Sequence, residues 1–106
     1  MPVPPDYIRN AARKALEDRA DLPPSRQAGT LVGLRRANQL ANGDNVSLDV
    51  LKRMRSFLAR HKGNYDKAKA QGLNNKTSKV IQAVGLWGGM RASGWANSQI
   101  TKLEKK

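Results

Sequence analysis

Five basic residues lie close together in the middle of the sequence: Lys52, Arg53, Arg55, Arg60 and Lys62. Guanidinium and ammonium groups donate charged hydrogen bonds, and the chemistry that suits them is contact with phosphate or another anion. Helical spacing of about 100° per residue separates these five side chains, which we call the basic face, from the apolar side of the same helix. Only Asp49 opposes their charge in that helix. We therefore expect the basic face to bind a polyanion.

His61 is the only histidine of the chain, and helical spacing places it in the middle of that apolar side. A metal site needs several nitrogen, sulfur or carboxylate ligands, and the chain has a single histidine and no cysteine. We expect a mostly buried imidazole that is hydrogen-bonded to a carbonyl or carboxylate group. A pH-sensing or acid–base role is the alternative.

The sequence contains no group of residues that would support catalysis. It has no glycine-rich phosphate loop that ends in Gly-Lys-Ser/Thr, and no closely spaced pair of acids in an apolar setting. Gly88 and Gly89 are expected between two helices and not after a strand. We predict a non-enzymatic protein with no catalytic residue, no metal, no cofactor and no small-molecule substrate.

Charge and length limit the class of protein further. The 106 residues include 20 Lys and Arg against 8 Asp and Glu, for a formal net charge of +12. This length predicts one small domain over 1–106, with loose ends at about 1–5 and 104–106. The N-terminus lacks a secretory-signal pattern, and the apolar runs are too short to span a bilayer. The charge ranks nucleic acid first among expected partners, an acidic protein surface second and an anionic membrane third, and we predict that no membrane is bound.

Apolar spacing and capping residues predict an all-α fold, a compact bundle of five or six short helices with a helical hairpin at the C-terminus. The predicted helices cover residues 6–20, 30–41, 47–63, 65–71, 78–87 and 90–103. Asp6, Ser47 and either Thr77 or Ser78 are the expected caps. The second helix is expected to pack through an apolar face made by Leu31, Leu34, Ala37, Leu40 and Ala41.

Glycines refine this prediction. Gly33 indicates a close contact between helices, and Gly63 is expected to close the third helix. Gly88 and Gly89 predict a sharp bend before the last helix. Both tryptophans of the chain lie beside this bend, and they are expected to clamp the C-terminal hairpin onto the core.

Two other modes of nucleic-acid contact are open. The second and third helices, joined across residues 42–46, could form a helix-turn-helix that brings Lys52, Arg53 and Arg55 near a DNA groove. That connection is longer than the usual three or four residues, and Asp49 would repel phosphate. Base stacking on Tyr65 or Trp87 is a minor alternative. Phosphate contact by the basic face needs charge but no register, and is therefore favoured.

Five segments follow one another in a specific order along the chain: 28–43 (AGTLVGLRRANQLANG), 46–48 (VSL), 51–61 (LKRMRSFLARH), 86–89 (LWGG) and 94–96 (GWA). Their combination resembles a small helical module of tailed-bacteriophage proteins, which stands alone or is attached to head-maturation and minor head proteins. The similarity covers roughly residues 8–97. The sequence departs from that pattern after His61, where the module carries a more acidic insert with Gly and Pro. It departs again after Gly89, where Met90 and Arg91 replace an acidic and a small residue.

The resemblance implies a phage origin and a place near the capsid or its packaged genome. We expect a minor, head-associated virion protein whose basic face contacts packaged DNA or an acidic partner, with phage head or portal proteins among its partners. The alternative is a non-virion phage DNA-binding or host-takeover factor that uses the helix-turn-helix-like pair. The expected location is the virion or the cytoplasm of the infected bacterial host.

Overall fold

Five α-helices form the fold in the computed structural model, which describes residues 2–105. They are α1 (Asp6–Ala20), α2 (Leu31–Asn42), α3 (Leu48–Ala70), α4 (Lys79–Leu86) and α5 (Ala92–Glu104), with one short 3-10 turn at Pro24–Arg26. No strand occurs in these residues, so the predicted all-α class is confirmed. None of the helices in the described range combines the length and apolar character needed to span a membrane.

Three hydroxyl side chains begin helices. The Oγ atoms of Ser47 and Ser78 accept hydrogen bonds from the third following amide, as predicted, and Thr30 does the same for α2. The predicted cap at Asp6 is wrong: Pro5 occupies the capping position and Asp6 is the first helical residue. The Pro5 carbonyl already accepts from two helical amides, and the extended backbone of a proline suits the position before a helix.

Gly63 does not end the third helix, which is a correction to the prediction. α3 continues to Ala70 without interruption, so the two helices expected over 47–63 and 65–71 are one, and it is followed by Gly72 in the left-handed conformation (φ 77°). A glycine inside a helix costs only about 1 kcal/mol relative to alanine. Burial of Ala68 beyond it, together with an ion pair of 2.6 Å between Lys62 and Asp66 across it, favours continuation.

The core lies among the five helices, and its largest fully buried apolar side chains are Ile8, Leu40, Leu51, Met54, Leu58, Leu86 and Ile100. α3 packs against α5 and α4, while α1 packs against α2 and α4. α5 runs antiparallel to α3, because Lys52 near the start of α3 reaches Glu104 at the end of α5. Tyr65, in the second half of α3, lies beside Met90 and Arg91, just before α5 begins.

The predicted bend between the last two helices is confirmed. Gly88 and Gly89 both have positive φ angles, 97° and 85°, which glycine adopts without a steric penalty. A Cβ atom at Gly88 would lie 2.7 Å from Cγ2 of Ile8, so the bend sits directly on α1. Both helices of the predicted hairpin exist, and after the bend α5 packs mainly along α3. Trp87 is buried and Trp95 is half-buried against the core.

Two buried polar side chains attach the loops to the helices. Gln82 accepts a hydrogen bond from the Ala28 amide (2.7 Å) and donates to the Asn75 carbonyl (3.0 Å). The Asp18 carboxylate accepts from Lys14 (2.9 Å) and from the Asn75 amide (3.0 Å). Burial alone raises the pKa of Asp18, but these hydrogen bonds, together with the positive charges of Lys14 and Lys76, outweigh burial and hold the pKa below its usual range.

The start of the chain is packed, where the sequence predicts a loose end over 1–5. Pro4 is buried, and the Pro2 carbonyl accepts a hydrogen bond of 2.8 Å from the Val46 amide just before α3. At the other end, Glu104 is still helical and forms the ion pair with Lys52. Met1 and Lys106 of these predicted loose ends lie outside the described residues.

Leu31 is the clearest error in the predicted apolar faces. Its side chain is 66% exposed, and that of the neighbouring Val32 is 45% exposed. Gly33, Ala37 and Leu40 take the inward positions of α2 instead. Gly33 is buried beside Trp87, and a Cβ atom there would lie 3.5 Å from the indole nitrogen. This is an ordinary van der Waals distance, so the contact does not require glycine.

Two glycine substitutions test the continuity of α3. Gly63→Ala should raise the free energy of unfolding by about 0.5–1 kcal/mol, because the site is helical, exposed and surrounded by open space. Gly85→Ala is the matched control in α4: its Cβ would lie 2.8 Å from that of Ala15, so it should lose about 1–3 kcal/mol. Urea unfolding followed by circular dichroism measures both. Destabilisation by Gly63→Ala would contradict a continuous helix.

Candidate nucleic-acid interface

The packing of α3 determines where its basic side chains lie. Leu51, Met54 and Leu58 are fully buried, and they follow one another at three- and four-residue spacing along one side of the helix. The opposite side therefore faces solvent. The basic face lies there, with Lys52 half-buried and its other four members exposed.

The continuous α3 arranges its cations in two rows with seven-residue spacing. The first row is Arg53, Arg60 and Lys67, and the second row is Arg55, Lys62 and Lys69. Seven residues are close to two helical turns, so neighbours within a row are about 10 Å apart along the axis. The rows lie on opposite flanks of the exposed side, about 160° apart around the helix, and Lys52 lies between them.

Acidic neighbours pair with part of the basic face. Arg53 contacts Asp49 at 3.0 Å, Lys62 contacts Asp66 at 2.6 Å, and Lys52 contacts Glu104 at 3.2 Å. Within residues 2–105, Arg55 and Arg60 have no acidic partner within 4 Å. α3 as a whole carries seven Lys and Arg against two Asp, so it keeps a large positive excess after these pairs are counted.

Lys67 and Lys69 extend the basic surface and were missed from the sequence. Both are exposed, and both lie beyond the residue at which the helix was expected to stop. The signal that could have found them is the seven-residue spacing itself, since each continues a row that begins at Arg53 or Arg55. Their place in the last turn also suits the negative end of the helix dipole.

A groove of about 700 Å³ lies beside the first row, between α3, α4 and the start of α2. Lys52, Arg53 and Arg60 line its α3 side. Its apolar lining comes mainly from four residues on the three helices: Val32, Phe57, Leu86 and Trp87. Arg55 and Lys62 do not contribute to it, so the five predicted residues divide between a groove side and an outer side.

Three stacked rings cross the floor of this groove. The His61 ring lies 4.0 Å from that of Phe57 with 20° between their planes, and Phe57 lies 4.7 Å from Trp87 with 15° between theirs. His61 Nδ1 also lies 2.8 Å from the Phe57 carbonyl, so the predicted hydrogen bond to a carbonyl is confirmed. The imidazole is half-buried and is part of a packed aromatic group.

Arg36 of α2 adds a cation that sequence analysis did not single out. Its guanidinium lies over the Trp87 ring, 5.5 Å from the centroid, and donates to the Gln39 side chain at 2.6 Å. Burial lowers the pKa of Arg36, and the nearby charge of Arg53 lowers it further. Positive charge is therefore concentrated around the ring stack. No sequence pattern identifies Arg36, because its position depends on how α2 crosses α4.

The packing of α2 bears on the helix-turn-helix alternative. α2 packs principally against α1 and α4, and it has no extensive contact with α3. A helix-turn-helix requires its two helices to support each other, so this arrangement does not favour that alternative. Base stacking on Trp87 is also disfavoured, because the ring is only 8% exposed and is covered by Phe57 and Arg36.

Metal-ligating side chains do not cluster in the described range. No cluster of three or more His, Cys, Asp or Glu side chains that could hold a metal ion occurs there. Comparison with known proteins does not add a function, since no family model, curated protein or solved structure matches this chain. The interface must therefore be judged on its own geometry and charge.

We expect the stacked rings of His61, Phe57 and Trp87 to contribute unequally to the stability of the fold. Trp87→Ala should lower the free energy of unfolding by about 3–5 kcal/mol, because it removes a buried ring that contacts α2 and α3. His61→Ala removes only the outer, half-buried ring of the stack, and should cost about 0.5–1.5 kcal/mol. Chemical denaturation of the two variants measures the difference. Equal, small losses would mean that the rings do not hold the helices together.

Proposed function

We propose that this protein binds nucleic acid through phosphate contacts made by the two cation rows of α3, without reading the bases. The observation that carries the proposal is the excess of charge on one exposed helix, which has seven cations and two acids over 23 residues. Polyanion binding of this kind derives its affinity mainly from counterion release.

The existing ion pairs do not prevent phosphate contact. The Arg53–Asp49 and Lys62–Asp66 pairs join residues four apart on exposed helix surface. Such pairs contribute about 0.3–0.5 kcal/mol, so a phosphate group competes with them at little cost. Arg55 and Arg60 need no rearrangement of this kind.

The side chains between the rows favour binding that is independent of sequence. Ser56, Ala59 and Gly63 are exposed on the side of α3 between the two rows. Of these three, only Ser56 has a side chain that forms hydrogen bonds. Direct readout of bases needs donors and acceptors that reach base edges, such as Asn, Gln or Arg. No Asn or Gln lies between the rows, and the arginines on either flank suit phosphate as well as guanine, so a comparison of two unrelated duplexes distinguishes the two uses.

For the biological setting, the resemblance to a tailed-phage module supports a non-enzymatic, minor, head-associated virion protein. In this setting the basic rows contact packaged DNA, and phage head or portal proteins are the neighbours. The high positive charge is compatible with a place beside a densely packed polyanion. A non-virion DNA-binding or host-takeover factor in the infected cell is the alternative.

Removal of charge from both rows tests the binding mode. Arg53→Gln, Arg55→Gln and Arg60→Gln together should weaken binding to a duplex and reduce the slope of log affinity against log salt by about 1 for each lost phosphate contact. Fluorescence anisotropy at several salt concentrations, with two duplexes of unrelated sequence, measures both effects. The two duplexes should bind alike.

The matched control removes three charges elsewhere. Arg13, Arg35 and Lys79 are exposed on α1, α2 and α4, and their replacement by Gln gives the same net charge as the first variant. Binding by this control should stay within about twofold of the native protein, since the charges lie off α3. Equal losses of affinity in the two variants would mean that binding depends on the overall charge of the protein and not on the two rows. A strong preference for one duplex would contradict backbone binding.

Mass spectrometry of purified phage particles tests the proposed setting. A virion component should be present at a constant number of copies per particle, and it should stay with the particles through washes at moderate salt. The measurement requires the phage that encodes the chain. Detection only in extracts of infected cells, and not in particles, would favour the non-virion alternative.

A further inference from the structure

The groove beside the first row has a composition that phosphate binding does not explain. Val32, Phe57, Leu86 and Trp87 give it an apolar interior, whereas a site for nucleic-acid backbone needs only cations. Its volume of about 700 Å³ falls in the range of sites that enclose several side chains or a small ligand. The groove therefore calls for a partner with both apolar and anionic groups.

Stacking of a nucleic-acid base does not account for the apolar interior. His61 and Trp87 both stack on Phe57, so both faces of the Phe57 ring are already covered. Phe57 and the Arg36 guanidinium cover Trp87. The edges of the Phe57 and Trp87 rings are therefore the parts available to a ligand. Ring edges carry partial positive charge, which favours a carboxylate over a stacked base.

We propose that this groove binds an acidic segment of a partner protein that inserts an apolar side chain between α2, α3 and α4. The proposal goes beyond nucleic-acid binding and does not depend on it. Apolar anchors in pockets surrounded by polar contacts are the usual energetic centres of protein interfaces. The segment supplies Asp or Glu residues to the cations and a Leu- or Phe-like side chain to the apolar interior.

Charge complementarity specifies the acidic character of the partner. Lys52, Arg53 and Arg60 line one side of the groove, and Arg36 lies on the far side of the ring stack. Asp49 is the only acid in the lining, and it is already bonded to Arg53. A carboxylate that enters the groove meets cations on one side and ring edges below, so an acidic segment is attracted and a basic one is repelled.

Exposed apolar residues at the start of α2 complete the site. Leu31 and Val32 are 66% and 45% exposed and adjacent in sequence, and Val32 lines the groove. They are two of the four large apolar side chains that are exposed in the described residues. Contiguous apolar groups surrounded by charged ones mark protein interaction sites more often than chance exposure does. Val32 makes the direct contact with the groove, and Leu31 is exposed next to it in sequence but outside the lining.

Peptide binding tests the proposal directly. The probe is a short fluorescein-labelled peptide of Asp and Glu residues with Leu and Phe three residues apart, compared with the same peptide in which Ser replaces both apolar residues. The apolar peptide should bind at least about tenfold more tightly, the effect expected when one large apolar side chain is buried. Equal binding of the two peptides, or no binding by either, overturns the proposal.

Neutral variants locate the binding site. Leu31→Ser together with Val32→Ser keeps every cation, and should weaken binding of the apolar peptide at least about fivefold. Val3→Ser is the matched control, since Val3 is 53% exposed and lies outside the groove lining. Trp95→Phe leaves Trp87 as the only tryptophan, whose emission should then shift when unlabelled peptide is added. The assignment of the groove as the binding site is contradicted if Trp87 emission shifts but the double variant binds the peptide as tightly as the native protein. It is also contradicted if Val3→Ser weakens peptide binding.

Duplex DNA distinguishes this proposal from the proposed function. The Leu31→Ser and Val32→Ser variant should bind duplex as the native protein does, because it retains both cation rows. If it loses DNA and peptide binding equally, the groove is a nucleic-acid site and the peptide proposal is wrong. If the native protein binds the peptide but does not bind duplex DNA, the proposed nucleic-acid function is wrong and the peptide proposal stands.

Discussion

The burial of one side of α3 determines where most of the other features of the molecule lie. Leu51, Met54 and Leu58 are held against α4 and α5, and this fixes the rotation of the helix about its own axis. Every other side chain of α3 then has a defined direction, since each residue advances by about 100°. The same rotation that hides the leucines turns the cations to solvent and brings Phe57 and His61 against Trp87. Core packing and surface charge are therefore two results of one orientation.

The groove arises because three helices meet around one ring. Trp87 ends α4, and directly after it Gly88 turns the chain so closely onto α1 that no side chain fits there. On the other side α2 turns Gly33, Ala37 and Leu40 inward, with Gly33 beside the indole, and leaves Leu31 and Val32 exposed. The exposed apolar groups at the start of α2 thus follow from which side of that helix is buried.

Most of the fold could be predicted from local signals in the sequence. The predictions failed where tertiary packing outweighed a local preference. Ser47 and Ser78 were recognised as caps because a hydroxyl bonds an amide three residues on, which is a local event. The helix end predicted at Gly63 was wrong because the small cost of a glycine inside a helix is outweighed by the burial of Ala68, five residues later. The basic face was visible as a cluster, but its division into groove and outer sides depends on α2 and α4. Arg36 carries no local signal at all.

The seven-residue spacing also limits the repulsion between like charges within each row of α3. Neighbouring charges in a row are about 10 Å apart along the axis, which is close to the Debye length at 0.1 M ionic strength. Mutual repulsion within a row is therefore largely screened by ordinary cellular electrolyte. In very dilute buffer the screening disappears, and the same rows push against one another. Self-repulsion along α3 should therefore be smaller at moderate ionic strength than in dilute buffer, and the charged side chains then oppose folding less.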